Sequence, residues 1–92
     1  MPFVYILRCG DDSLYTGIAL NVERRLIEHR AGKASRFTRA RLPVVLVWTK
    51  RVRSWSAALR TEHRIKQLSR QDKLLLIETG RLPRAKRPQK HS

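Results

Sequence analysis

Glu62 falls four residues after Ala58, three after Leu59 and three before Ile65, which places a carboxylate on the apolar stripe of a helix. Facing inward and ionised it needs a cation, because an unpaired buried charge is costly. Two kinds would serve. One is a neighbouring arginine, in a structural ion pair. The other is a hard divalent ion such as Mg²⁺ or Mn²⁺; Mg²⁺ commonly takes only one or two protein carboxylates and keeps several waters. Tyr5 and Tyr15 offer two phenols, although tyrosine is also common in strands for packing reasons alone. Arg25 and His29 stand at i and i+4, so their heads can point into one space beyond a helix, or simply form a solvated basic face. Lys33, Arg36, Arg39 and Arg41 surround the aromatic Phe37, a mixture suited to phosphate contacts with base stacking and equally to a solvated loop.

These side chains have to be positioned by a small set of elements. Residues 3–8 (FVYILR) are β-branched and aromatic, the turn formers Gly10, Asp11, Asp12 and Ser13 follow, and a second short run covers Leu14 to Ile18, so a hairpin is expected. Asn21 can cap a helix from Val22 to about Arg30, with Glu23 in its first turn and Gly32 past its end. The stretch from Gly32 to Pro43 reads as loop. Val44 to Trp48 (VVLVW) has the unbroken apolar character of a strand buried on both faces. A second helix should start near Ser54 or Ser56 and run to Leu68, burying Ala58, Leu59, Ile65 and Leu68. Ser69 with Asp72 forms a capping-box-like pair for a third helix that Gly80 closes. The order ββαβαα implies an α+β fold: a small three-stranded antiparallel sheet packed against helices. Trp48 and Trp55 are expected in the core rather than as base-stacking residues, the alternative for an exposed tryptophan, and Cys9 as a small buried hydrophobe.

The chain has 92 residues, enough for one core, with 21 Lys and Arg against 7 Asp and Glu and a net charge of +14. That field calls for a polyanion, with nucleic acid the natural choice. No apolar run approaches the roughly 18 residues of a membrane span and no secretory pattern opens the chain, so a soluble cytoplasmic protein with no membrane partner is expected. The single Cys9 can form neither an internal disulfide nor a multi-cysteine zinc site. Residues 81–92 carry Arg81, Arg84, Lys86, Arg87 and Lys90, two prolines and no acid, and are expected to form a disordered basic tail after a domain spanning residues 1–80.

Val4-Tyr5-Ile6 followed by Tyr15-Thr16-Gly17 resembles, in type and spacing, the two tripeptides that name the GIY-YIG nucleases. Arg25, ten residues past the second tyrosine, agrees with the family's catalytic arginine, His29 with the histidine of many members, and Glu62 with the metal-binding glutamate. The resemblance covers about residues 3–80 and is closest to the short single-domain YhbQ-like proteins, through ALRTEHRIKQL and GKASRFTRARL. The first tripeptide lacks its glycine, and Thr16 replaces isoleucine in the second. The recognition domains that homing endonucleases and excision-repair incision subunits carry are not seen.

The resemblance implies an endonuclease that hydrolyses phosphodiester bonds in nucleic acid, DNA more than RNA, with one Mg²⁺ or Mn²⁺ held by Glu62. Tyr5 would be the general base. A free tyrosine, with a pKa near ~10, is a poor base at neutral pH, so nearby positive charge would have to favour its phenolate. Arg25 would hold phosphate, since a guanidinium pairs two oxygens at once and keeps its charge. His29 would join the proton relay or bind phosphate, Tyr15 would orient water or phosphate, and Gly17 would let the backbone come close to substrate or simply end a strand. The rival reading is a binding module that keeps the fold without efficient catalysis. A ribosome- or nucleoid-associated structural protein explains the charge but leaves Glu62 and the tyrosine spacing to coincidence.

Overall fold

The computed structural model describes residues 1–82; the expected tail beyond Leu82 lies outside the described residues. Seven elements follow in order: β1 (Phe3–Arg8), β2 (Leu14–Ala19), α1 (Val22–Arg30), α2 (Arg36–Arg39), β3 (Val45–Arg51), α3 (Trp55–Lys66) and α4 (Arg70–Thr79). The strands form an antiparallel sheet in the order β2-β1-β3, so the α+β architecture expected from the sequence is the one observed.

Helix starts follow the capping residues. The side chains of Asn21, Ser54 and Ser69 accept hydrogen bonds from the backbone N–H of Arg24, Ala57 and Asp72, satisfying donors that a helix N-terminus leaves free. Gly80 ends α4 at φ 76°, a left-handed position that favours glycine.

Because side chains alternate along a strand, β1 feeds two separate cores. Val4 and Ile6 join Trp48, Val52, Ala58, Ile65 and Leu76, under α3 and α4, and Leu82 packs against the same cluster. Tyr5 and Leu7 join Cys9, Ala19 and Val44, with Val22 and Leu26 of α1 packed against them.

Three expectations are corrected here. The stretch from Gly32 to Pro43 contains the short helix α2, nucleated by Ser35, whose hydroxyl accepts from the N–H of Phe37 and Thr38. The strand buried on both faces is β1, not β3: β3 is an edge strand in which Val45 is 47% exposed and Thr49, Lys50 and Arg51 face solvent, the charges of a protected edge. On α3, Ala58 and Ile65 are fully buried whereas Leu59 is exposed, because at about 100° per residue it lies beyond the narrow stripe that meets the sheet.

Candidate active site

Register builds the centre of the site. Tyr5 of β1 pairs with Gly17 of β2, and Leu7 with Tyr15, so Tyr5, Tyr15 and Gly17 share the sheet face that α1 covers. The Tyr5 ring lies directly over Gly17: a Cβ built there would sit 2.5 Å from Tyr5 Oη and 2.6 Å from Cζ. Any other residue would expel the phenol from its place. That close approach gives Gly17 a definite job, the seating of Tyr5.

From α1, His29 is inserted between the tyrosines, with ring centroids 5.8 Å from Tyr5 and 5.3 Å from Tyr15, both edge-on. His29 is 1% exposed, so the solvated-face alternative does not describe it. Its Nε2 lies 2.9 Å from Tyr5 Oη and its Nδ1 lies 2.8 Å from Thr38 Oγ1. Thr38 in turn donates its single hydroxyl proton to the Ser35 carbonyl at 3.3 Å. The network therefore assigns the tautomer: Thr38 accepts from Nδ1–H, and Nε2 is left to accept from the Tyr5 hydroxyl. Tyr5, His29, Thr38 and Ser35 form one directional line, the logic of a proton-accepting pair oriented by a third group.

Thr38 is fully buried and was not singled out in the sequence. Its local signal was Ser35 standing ahead of Arg36-Phe37-Thr38, a helix cap that turns Thr38 inward; the contact with His29, nine residues away, exists only once α2 folds back on α1.

Electrostatics at the centre run against an easily formed phenolate. Burial, and then the neighbouring Tyr15, push the Tyr5 pKa well above its ordinary value; Arg25 pulls it down, while Glu62 and Glu28 add to the rise. The His29 pKa is lowered, first by burial and then by Arg25, with Glu28 opposing. Tyr5 is thus a neutral phenol facing a neutral imidazole at physiological pH. Without an ion at Glu62 desolvation outweighs the one arginine, so Arg25 by itself does not favour the Tyr5 phenolate.

Arg25, on the same face of α1, is partly exposed and pairs with Glu28 at 3.6 Å. Glu62 on α3 sits at the margin of the buried stripe, its side chain 22% exposed, and among the described residues it pairs with Lys66 at 3.4 Å. Its charge reaches the Tyr5 phenol. Among the described residues no group of three or more His, Cys, Asp or Glu is arranged to hold a metal. The donor set suits a hard ion bound by a single carboxylate, with water and substrate oxygens completing the shell, and does not suit a protein-built cage.

The expected nucleic-acid contacts divide into two groups. Lys33, Arg36 and Arg39 line a concave surface of about 380 Å³ beside Gly32 and Ser35. Arg41 is committed elsewhere: its Nε pairs with Asp11 at 3.1 Å, its Nη1 donates to the Phe37 carbonyl, and its guanidinium lies 3.9 Å from the centroid of the Phe37 ring. Phe37 also stacks with Tyr15, centroids 5.9 Å apart, so it braces the site. Trp48 is in the core as expected, but Trp55 is not: it is 51% exposed at the start of α3.

Comparison with known proteins shows the family and the fold. Residues 1–74 match the GIY-YIG catalytic domain. The chain belongs to the GIY-YIG family. Members of this family make up a nuclease superfamily, and small single-domain relatives are similar over nearly their whole length. A UPF0213 protein of Natronomonas pharaonis is 52% identical over 80 residues, 85% of this chain and 94% of the relative. One from Staphylococcus haemolyticus is 51% identical over 76 residues, 83% of this chain and 93% of the relative. The solution NMR structure of a UPF0213 protein from Bacillus halodurans superposes with a TM-score of 0.57 at 42% identity, covering 86% of this chain and 85% of that one. A second NMR structure, from E. faecalis, gives 0.59 at 32% identity over 94% and 92% of the two chains. Among the described residues no helix is long and apolar enough to cross a membrane.

Proposed function

We propose that this protein is a metal-dependent endonuclease that hydrolyses phosphodiester bonds, with DNA the preferred nucleic acid. The observation that carries the reading is the hydrogen-bonded line from Tyr5 through His29 to Thr38, with Arg25 and Glu62 close enough to act on the Tyr5 phenol. A purely structural core has no need of a buried, neutral histidine poised to accept a tyrosine's proton.

In this reading Tyr5 and His29 act as a pair. As a water oxygen bonds to phosphorus, its proton passes to Tyr5 Oη while the Tyr5 proton passes to His29 Nε2; the bond from phosphorus to the leaving oxygen breaks with the electron pair on that oxygen, which takes a proton from solvent, and His29 returns its proton to solvent through Tyr5. Tyr5 never has to exist as a free phenolate, which reconciles its raised pKa with a role in proton transfer. Thr38 holds the imidazole in the accepting tautomer. Arg25 exchanges Glu28 for the phosphate, gaining a bidentate partner in place of a long, partly exposed ion pair. Tyr15, edge-on to His29, completes the wall of the site. Glu62 would hold Mg²⁺ or Mn²⁺ on leaving Lys66, and the ion when bound would supply positive charge to the phosphoryl and leaving oxygens. Lys33, Arg36 and Arg39 extend the basic surface along the strand, and this contribution should fall steeply with salt.

The test is Mg²⁺- and Mn²⁺-dependent cleavage of labelled single-stranded, duplex and branched DNA and RNA by wild type, Tyr5→Phe, Arg25→Ala and Glu62→Ala. Cleavage by wild type, with each variant binding but at least ~100-fold slower in turnover, is the expected outcome. A wild type that binds every substrate and cuts none would leave a nucleic-acid binding module on the same fold.

A further inference from the structure

Trp55 has no structural reason to be a tryptophan. It is the first residue of α3, next to the cap Ser54, half of its surface is open to solvent, and it belongs to neither apolar cluster. What it does line is a cleft of about 280 Å³ between the end of β2, the start of α1 and its own ring. The other walls that matter are Leu20, exposed at the end of β2, and the α1 residues Arg24, Arg25 and Glu28. An indole and two guanidiniums thus line the same concavity, which is near the lower end of small-ligand sites.

Arg25 connects this cleft with the active site, because it lines the one and acts on Tyr5 and His29 in the other. Arg24 and Arg25 both pair with Glu28, at 3.8 and 3.6 Å, through largely open contacts that a phosphate can replace at small cost. The cleft also includes Asn21 at the N-terminus of α1, whose partial positive charge favours an anion. Apolar plane, paired cations and a helix N-terminus together match a nucleotide: a base to lie on the indole and a phosphate for the arginines. Phe37, beside the site, cannot take this role while Arg41 covers its ring and Tyr15 stacks with it.

We propose that this cleft receives one unpaired nucleobase, stacked on Trp55, adjoining the phosphate held by Arg25, and that it thereby selects strands with unpaired nucleotides over closed duplex. The proposal rests on the reading of Arg25 as a phosphate ligand. Bases inside a duplex have both faces covered by their neighbours and would have to be flipped out to reach the indole, whereas bases in a single strand, flap or junction are free to lie on it. Stacking is tolerant of base identity, so the selectivity is for structure rather than sequence.

The test is made without metal, in EDTA at fixed salt, so that it does not depend on cleavage. Titration with oligothymidylate should quench the tryptophan emission of wild type and leave that of Trp55→Phe, which retains only the buried Trp48, nearly unchanged. In parallel, Trp55→Ala should bind a single strand and a flapped duplex about tenfold more weakly and a blunt duplex within about twofold of wild type. Trp55→Phe should recover most of the loss. Unquenched wild type at saturating oligonucleotide, or an equal loss on all three substrates, would overturn the proposal. If the quench and the selective loss are seen but no substrate is ever cut, the binding site stands and the nuclease reading falls.

Discussion

The two faces of β1 are held by different physics. On one, Val4 and Ile6 meet Trp48, Ala58, Ile65 and Leu76, and what matters is filled volume and area removed from water. On the other, Tyr5 meets His29, and His29 meets Thr38, through hydrogen bonds of 2.9 and 2.8 Å that each demand one donor and one acceptor in place. Apolar packing tolerates exchange of shapes; a directional chain fails when a single atom is lost. The same six-residue strand therefore supplies stability with one set of side chains and a chemically poised site with the alternate set.

The sharpest way to break this contrast is in the apolar face. Ile65 is fully buried in α3 and touches the cluster that joins both C-terminal helices to the sheet. Ile65→Ala should cost about 2–5 kcal/mol, a large part of what so small a domain has to spare. Urea unfolding followed by circular dichroism measures the loss, and the folded fraction should keep its nucleic-acid affinity. A variant that unfolds at the wild-type midpoint, or that loses affinity while folded, would show that the two faces are not separable.

Thr38→Val probes the other face with a smaller effect. The shape is kept, yet His29 Nδ1–H is left buried without an acceptor, a loss of roughly 1–3 kcal/mol. The imidazole also loses the group that fixes its tautomer. Cleavage by Thr38→Val should drop further than its stability explains, and Thr38→Ser should restore most of it, while ¹⁵N chemical shifts report which His29 nitrogen carries the proton. Equal stability and an unchanged tautomer in Thr38→Val would remove Thr38 from the line.

The contrast between the faces also accounts for what could be read before folding. Elements driven by local signals were legible: the Asn21, Ser54 and Ser69 caps, the Gly80 stop and the alternating hairpin all lie where their residues require. Glu62 stood out by its place on the apolar stripe of a helix, and Tyr5, Tyr15, Gly17, Arg25 and His29 because their spacing resembles a known family, whereas Thr38 did not, its contact being purely tertiary. Val44 to Trp48 misled because an apolar run reveals burial but not which strand is central; that is decided by pairing, and β1 has partners on both sides. Trp55 misled for a related reason: a tryptophan's hydrophobicity argues for the core unless the neighbouring surface is known to be a basic cleft.

The smallest of these effects, and the one most specific to the polar face, is its dependence on pH. The His29 pKa is depressed by burial and by Arg25, so between that value and the unfolded value near ~6.5 the unfolded chain binds the extra proton. Stability from this group is complete above about 6.5 and declines as the pH falls below it. Tyr5 acts in the opposite sense: its raised pKa contributes stability that is complete below about 10 and is lost as the pH climbs further. Side chains of the Ile65 face have nothing to titrate. Urea midpoints measured across this range should thus form a plateau with shoulders at both ends, and His29→Gln should flatten the shoulder just below 6.5 while leaving the alkaline one. Glu28 and Arg25 face the same imidazole with opposite effects, so Glu28→Gln should leave the onset of the acid decline near about 6.5 and make the loss below it deeper. An acid shoulder indifferent to both substitutions would mean that the imidazole is not held neutral by its burial between the two tyrosines.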